Sequence, residues 1–124
     1  MLTVLIVDDS DTMRIQLKKD LAGKGFTVLE AANGAEGLQI LKTNKGINVC
    51  ICDVNMPIMD GLTMCEKLCE AGKPPELNIF MLTTESTAES KERGKKSGVR
   101  AWITKPYQAD KLISAIEKVS QAKA

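Results

Sequence analysis

The chain has 124 residues, 44% of them hydrophobic and 27% charged, which suits one globular domain with a substantial core. With 17 basic and 16 acidic side chains its net charge is +1, so the charge balance does not indicate nucleic acid or an anionic membrane as a partner. The chain contains no histidine, which excludes Ser-His and Cys-His catalysis and a phosphohistidine of its own.

No segment predicts export or membrane insertion. The first apolar run ends at Asp8 and Asp9 and is too short for a signal peptide. No stretch approaches the ~18 apolar residues of a membrane span. We therefore expect a cytoplasmic monomer whose single domain occupies residues 1–124, with no attached output domain.

The four cysteines do not have the spacing of a metal site. Cys50 and Cys52 lie two residues apart in a strand-like run, and Cys65 and Cys69 lie four apart on a predicted helix. There is no Cys-x-x-Cys pair and no histidine to complete a zinc site. We interpret all four as small buried hydrophobic residues in a reducing compartment.

Short apolar segments alternate with amphipathic ones along the chain. Strands are predicted at residues 2–7, 27–31, 49–53, 79–82 and 101–104. Within the first and third, residues 5–7 and 49–52 are continuously apolar, as in central strands covered on both faces. The alternation predicts an α/β fold, a doubly wound five-stranded parallel sheet with five helices.

The predicted helices fill the gaps between these strands. Ser10 or Asp11 can cap the first, Asn33-Gly34 precedes the second, and Asp60-Gly61 opens the third. The fourth, at residues 85–96, is polar. The fifth has a clear apolar face, formed by Leu112, Ile113, Ile116 and Val119.

Three aspartates are placed where such folds bind ligands. Asp8 and Asp9 follow the first strand, and Asp53 ends the third. In the flavodoxin-like class, whose strand order 2-1-3-4-5 we assume, these strands are neighbours and ligands bind beyond their carboxyl ends. Three converging carboxylates repel each other and require a cation. Hard oxygen ligands favour Mg²⁺ over zinc or copper.

Two further side chains follow the remaining strands. Thr83 after the fourth strand offers a hydroxyl donor, and Lys105 after the fifth offers a positive charge. Taken singly, the Asp8-Asp9 pair could be a helix cap, Thr83 a loop hydroxyl and Lys105 a solvated lysine. Their joint placement at four strand ends favours phosphoryl transfer, which needs mainly positioning and charge neutralisation.

Several motifs carry a resemblance to a known family. They are Leu-Ile-Val-Asp-Asp-Ser at 5–10, Cys-Asp-Val-Asn-Met-Pro at 52–57, Asp60-Gly61, Leu-Thr-Thr-Glu at 82–85 and Ile-Thr-Lys-Pro-Tyr at 103–107. Over essentially its whole length the chain resembles response-regulator receiver domains, and within that family it is most similar to the stand-alone chemotaxis receivers.

The resemblance implies a role for each matching residue. Asp53 would be the phosphoacceptor, and Asp8, Asp9, Asp53 and the backbone carbonyl of Asn55 would bind Mg²⁺, for which Mn²⁺ can substitute. Thr83 and Lys105 would assist, and Asn55 and Glu85 would tune dephosphorylation. The Lys105–Pro106 bond is expected to be cis. Such a protein is a phosphoacceptor that assists its own phosphorylation and dephosphorylation, not an enzyme.

The resemblance also implies a switch and partners. Trp102 occupies the position of the family's mobile aromatic residue, usually Tyr or Phe, so the chain departs from the pattern there. Basic residues crowd the fourth helix and its exit: Lys91, Arg93, Lys95, Lys96 and Arg100. They can form a solvated face or a docking surface. By resemblance that face binds a histidine kinase of the chemotaxis type and the flagellar motor switch protein, with a phosphatase as a further partner.

Other functions use similar residues. A phosphorelay or phosphate-sink receiver would share the whole site. A haloacid-dehalogenase-type phosphatase needs a second aspartate two residues after its nucleophile, where this chain has Asn55. A flavodoxin-like FMN carrier needs a phosphate-binding loop after the first strand, where Asp8 and Asp9 would repel the phosphate.

Overall fold

Strands and helices alternate strictly along the chain. The computed structural model describes residues 2–84 and 86–121. The elements are β1 (Thr3–Val7), α1 (Asp11–Ala22), β2 (Thr27–Ala31), α2 (Gly34–Thr43), β3 (Val49–Cys52), α3 (Gly61–Ala71), β4 (Asn78–Thr83), α4 (Ala88–Lys96), β5 (Val99–Thr104) and α5 (Ala109–Gln121).

The strands form one parallel sheet in the order β2-β1-β3-β4-β5. This confirms the predicted fold class and the assumed order. Every residue of β3 and β4 is buried, as are Val4 to Val7 of β1. The continuously apolar runs are therefore central strands covered on both faces.

Each face of the sheet carries its own hydrophobic core. On one face, Leu5, Cys50 and Met81 pack with residues of α2 and α3. On the other, Ile6 and Phe80 pack with α1 and with the four apolar residues predicted to form the buried face of α5. In the part of the chain that the structure describes, no helix has the length and apolarity required to cross a membrane.

Side-chain caps fix where the helices begin. Ser10, Asn33 and Asp60 accept hydrogen bonds from backbone N–H groups in the first turns of α1, α2 and α3. The predicted start of α4 is wrong in its described part, because residues 86 and 87 are not helical. The Thr87 hydroxyl accepts from the Ser90 N–H at 3.0 Å, so α4 begins at Ala88.

The remaining differences are small. β1 and β3 are each one residue shorter than predicted, β4 gains Asn78 and Thr83, and β5 begins two residues earlier. All four cysteines are free, and three are buried as expected. Cys69 is exposed, contrary to the prediction, because it lies near the end of α3, where the helix leaves the core.

Candidate functional site

Three carboxylates meet at the edge of the sheet where β1 and β3 end. The two strands pair with Val7 opposite Cys52, so the residues that follow, Asp8 and Asp53, emerge side by side. One carboxylate oxygen from each of Asp8, Asp9 and Asp53 lies within 4.8 Å of the others. Asp8 is 2% exposed, whereas Asp9 faces solvent. The structure thus brings together the three aspartates that the sequence singled out.

The Lys105 ammonium group bridges two of these carboxylates. Its Nζ lies 3.0 Å from Oδ2 of Asp8 and 3.2 Å from Oδ2 of Asp53. The other oxygen of each aspartate accepts from a backbone N–H, that of Ser10 at 2.9 Å and that of Val54 at 2.7 Å. Each carboxylate therefore has one oxygen held by its own loop and the other paired with the lysine.

Burial and neighbouring charges shift the pKa values of Asp53 and Lys105. Burial raises the pKa of Asp53; the Lys105 charge opposes this shift, and the charge of Asp8 reinforces it. For Lys105, burial disfavours the ammonium, but the hydrogen bonds and charges of Asp8 and Asp53 outweigh that effect and raise its pKa. The lysine is therefore a permanent cation in the pocket.

Thr83 and Trp102 lie on the same face of the sheet. Thr83 ends β4 and is buried. Met81 pairs with Trp102 and Thr83 with Thr104, and since side chains alternate along a strand, Trp102 is a diagonal neighbour of Thr83. Its ring is half-buried and packs against the core on the α2 and α3 side.

Two other features lie in loops around the pocket. Asn55 is exposed, two residues beyond Asp53. Glu85, which was predicted to tune dephosphorylation, lies outside the described residues. The Lys105–Pro106 bond is cis, as predicted.

Arg14 is a supporting residue whose role was not predicted from the sequence. Its guanidinium donates to the backbone carbonyl of Asp8 and pairs with Asp11 and with Glu30, where Nε lies 3.5 Å from Oε1. It therefore holds the segment after β1 in place. The available signal was an arginine near the start of α1, five residues after Asp9.

Gly61 is a second residue that the sequence did not assign to the pocket. A Cβ atom there would lie 2.1 Å from the backbone oxygen of Asp53 and 2.8 Å from Sγ of Cys52. The Gly61 N–H also donates to the carbonyl of Val54 at 2.9 Å. Only glycine lets α3 begin in contact with the backbone of Asp53.

The fold and the pocket together indicate a class of protein. A doubly wound parallel sheet with acidic groups beyond its carboxyl ends is suited to binding a cation and a charged ligand at that edge. The sequence model of a protein family, the response regulator receiver domain, matches residues 4–117 of this chain. The chain belongs to this family.

Individual relatives agree with this assignment. The chain is 38% identical over 117 residues to the chemotaxis protein CheY homolog of Campylobacter jejuni, covering 94% of this chain and 90% of that protein. It is 37% identical over 116 residues to the sensor histidine kinase CheAY of Helicobacter pylori, covering 93% of this chain but only 14% of that protein.

A solved structure agrees with the fold. The CheY-like receiver domain protein of Methanospirillum hungatei superimposes with a TM-score of 0.89 at 28% identity, covering 99% of this chain and 97% of that one. The chain is thus a two-component receiver of the CheY-like kind, from a family of response regulators rather than classical enzymes. A histidine kinase is the partner that this membership implies.

Proposed function

We propose that the protein is a single-domain response regulator in which Asp53 accepts a phosphoryl group from a histidine kinase. The observation that carries the proposal is the bridge from Lys105 Nζ to Asp8 and Asp53 within the three-carboxylate cluster. An Asp53 oxygen forms a bond to phosphorus as the bond from phosphorus to the donor's histidine nitrogen breaks. The product is an acyl phosphate, which water later hydrolyses. As proposed, the protein works as a cytoplasmic monomer.

The donor set fits Mg²⁺ or Mn²⁺. Asp8, Asp9 and Asp53 supply hard oxygen ligands at one point, and the backbone carbonyl of Asn55 is the proposed fourth. Lys105 alone brings one positive charge to three carboxylates. The metal, when bound, supplies the charge that an incoming phosphoryl group requires.

Labelling with a small donor tests the phosphoacceptor. Acetyl phosphate with Mg²⁺ should add one phosphoryl group, seen in the intact mass, and a chelator should prevent it. Asp53→Asn should not be labelled, because an amide is a poor nucleophile. Glu117→Gln, which changes an exposed carboxylate on α5 to an amide, is the matched control and should be labelled like the wild type. Equal labelling of Asp53→Asn would show that the acceptor is elsewhere.

The proposed switch uses Thr83 and Trp102. A phosphoryl group on Asp53 would draw the Thr83 hydroxyl toward it through a charge-assisted hydrogen bond. The space vacated lies on the face that Trp102 shares. The chain has one tryptophan, so its emission reports on this position. Beryllofluoride with Mg²⁺, a phosphoryl mimic, should change the emission, and Thr83→Ala should blunt that change. Identical responses in both proteins would contradict the coupling.

For the output, we propose chemotaxis, with the flagellar motor switch protein as target. The support is the similarity to the Campylobacter chemotaxis protein, which covers nearly all of both chains. The match to a segment of a sensor histidine kinase favours a second candidate, a receiver that drains or relays phosphoryl groups. A pulldown with the beryllofluoride-loaded protein distinguishes the two candidates. Recovery of a motor protein supports the chemotaxis output, and recovery of only a kinase or phosphotransfer protein supports the receiver that drains or relays phosphoryl groups.

A further inference from the structure

Helix α4 has unusually little burial to hold it in place. Within the described chain, Gly94 is the one buried residue of Ala88–Lys96. The other residues are exposed or half-buried, and most are charged or polar. A helix in a protein is normally held by packing an apolar face. The position of α4 therefore depends strongly on what lies beneath Gly94.

The side chain beneath Gly94 is the indole of Trp102. A Cβ atom on residue 94 would lie 2.8 Å from Cζ2 of Trp102, and 3.2 Å and 3.3 Å from Cγ2 and Cβ of Val99. Both contacts come from β5, so the backbone of α4 lies directly on that strand. The absence of a side chain at Gly94 makes room for the indole, which is larger than a tyrosine or phenylalanine ring.

Two polar contacts fasten α4 to a different neighbour, α3. Arg93 donates from Nε and Nη2 to the two carboxylate oxygens of Glu66, at 3.1 and 2.8 Å. The thiol of Cys69 donates to the carbonyl of Ser97 at 3.0 Å. Neither contact involves β5. The buried attachment of α4 to β5 and its polar attachment to α3 are thus separate.

We propose that Gly94 is the positioning residue that seats the Trp102 indole beneath α4, so that the place of the indole decides how firmly α4 is held to β5. When the indole leaves this seat, α4 keeps its contacts with α3 and loosens from β5. This seat, the space beneath Gly94 that the Trp102 indole fills, is a property of the resting protein. Its use in signalling rests on the proposed function, in which phosphorylation moves Trp102.

A double-mutant cycle tests the seat through a change of sign. In an ordinary helix interior, glycine to alanine raises the folding equilibrium constant about fivefold. In Gly94→Ala the added methyl meets the indole, so we expect the constant to fall about tenfold. In the Trp102→Phe background the smaller ring leaves room, and the same change should be neutral or favourable. Lys95→Ala, at an exposed position of α4, is the control and should act alike in both backgrounds.

Urea denaturation measures the four proteins of the cycle. An equal effect of Gly94→Ala in both backgrounds would overturn the proposal. If Gly94→Ala does not fold, recovery of a folded protein on adding Trp102→Phe supports the seat, and failure of the double variant to fold overturns it. In the folded Gly94→Ala protein the tryptophan emission should shift to the red, because the ring is displaced toward water.

Amide hydrogen exchange of residues 88–96 links the seat to signalling. Gly94→Ala should raise exchange there without any activator, and beryllofluoride with Mg²⁺ should raise it in the wild type. A change in tryptophan emission with unchanged exchange in α4 would overturn the inference. If the activator changes neither signal while the cycle shows coupling, the seat is supported and the proposed switching is refuted.

Discussion

We expect Asp53→Asn to stabilise the protein at neutral pH when no divalent metal is present. Asp53 is a partly buried carboxylate, its side chain 12% exposed, beside the buried Asp8. The charge that the proposed phosphorylation reaction needs is therefore costly for the resting fold. Asparagine has nearly the same shape and can still accept the backbone hydrogen bond from Val54, but it carries no charge.

The magnitude follows from two distances in the pocket. With an effective dielectric constant of about 20, Asp8 within 4.8 Å repels the Asp53 charge by about 3 kcal/mol, and Lys105 at 3.2 Å attracts it by about 5 kcal/mol. Asp9 adds a smaller repulsion because water screens it. The two pair interactions leave a net attraction of about 2 kcal/mol, which the repulsion from Asp9 reduces further, so the cost of burying the carboxylate decides the sign. We expect Asp53→Asn to raise the free energy of unfolding by about 1–2 kcal/mol.

Urea denaturation in a chelating buffer across a range of pH measures this difference. The folded-state pKa of Asp53 is raised above its unfolded value, so its ionisation destabilises the fold. The advantage of Asp53→Asn should be absent below the unfolded value of about 3.9, should grow as the pH rises from there to the folded-state pKa, and should be constant above it. Glu117→Gln should show no such growth. A wild type as stable as Asp53→Asn at about pH 7, or a difference independent of pH, would refute the reasoning.

Two further predictions concern stability. The Tyr107 hydroxyl donates to Asp20 at 2.6 Å and ties the loop after β5 to α1, so Tyr107→Phe should lower the free energy of unfolding by about 1–2 kcal/mol. Asp20→Asn keeps an acceptor and should lower it less. An unchanged urea midpoint in Tyr107→Phe would contradict this prediction. Ile58, in the loop after Asp53, has φ of 70° and is 83% exposed, so Ile58→Asn should raise stability by about 1 kcal/mol, because asparagine tolerates the left-handed conformation. Loss of stability in Ile58→Asn would mean that the isoleucine side chain supports the loop.

The architecture could be predicted because it depends on local patterns. Alternating apolar and amphipathic segments give the strands and helices, and central strands differ from edge strands in their continuous apolarity. The strand order was taken from a fold class, since local pattern does not specify it. The start of α4 was missed because Thr87 and Ser90 decide it through a single side-chain hydrogen bond.

The pocket could be predicted where residues lie at strand ends. Asp8, Asp53 and Lys105 follow parallel strands, whose carboxyl ends share one edge of the sheet, so their proximity could be inferred although Lys105 and Asp8 are 97 residues apart. The roles of Gly61 and Gly94 could not be inferred. Each depends on how closely the backbone of a helix approaches its neighbours, and no property of a glycine in a sequence reports that distance.

Gly61 also affects how mutagenesis of this protein should be interpreted. Because α3 begins against the carbonyl of Asp53, any side chain at position 61 must push the helix away from the strand or displace the aspartate. A survey of substitutions would then rank position 61 among the chemically essential ones, although glycine contributes no reacting atom. Loss of labelling in a Gly61 variant would therefore measure misplacement of Asp53, the proposed phosphoacceptor. Restoring labelling would require moving α3 away from Asp53, because what the substitution removes is the space between them.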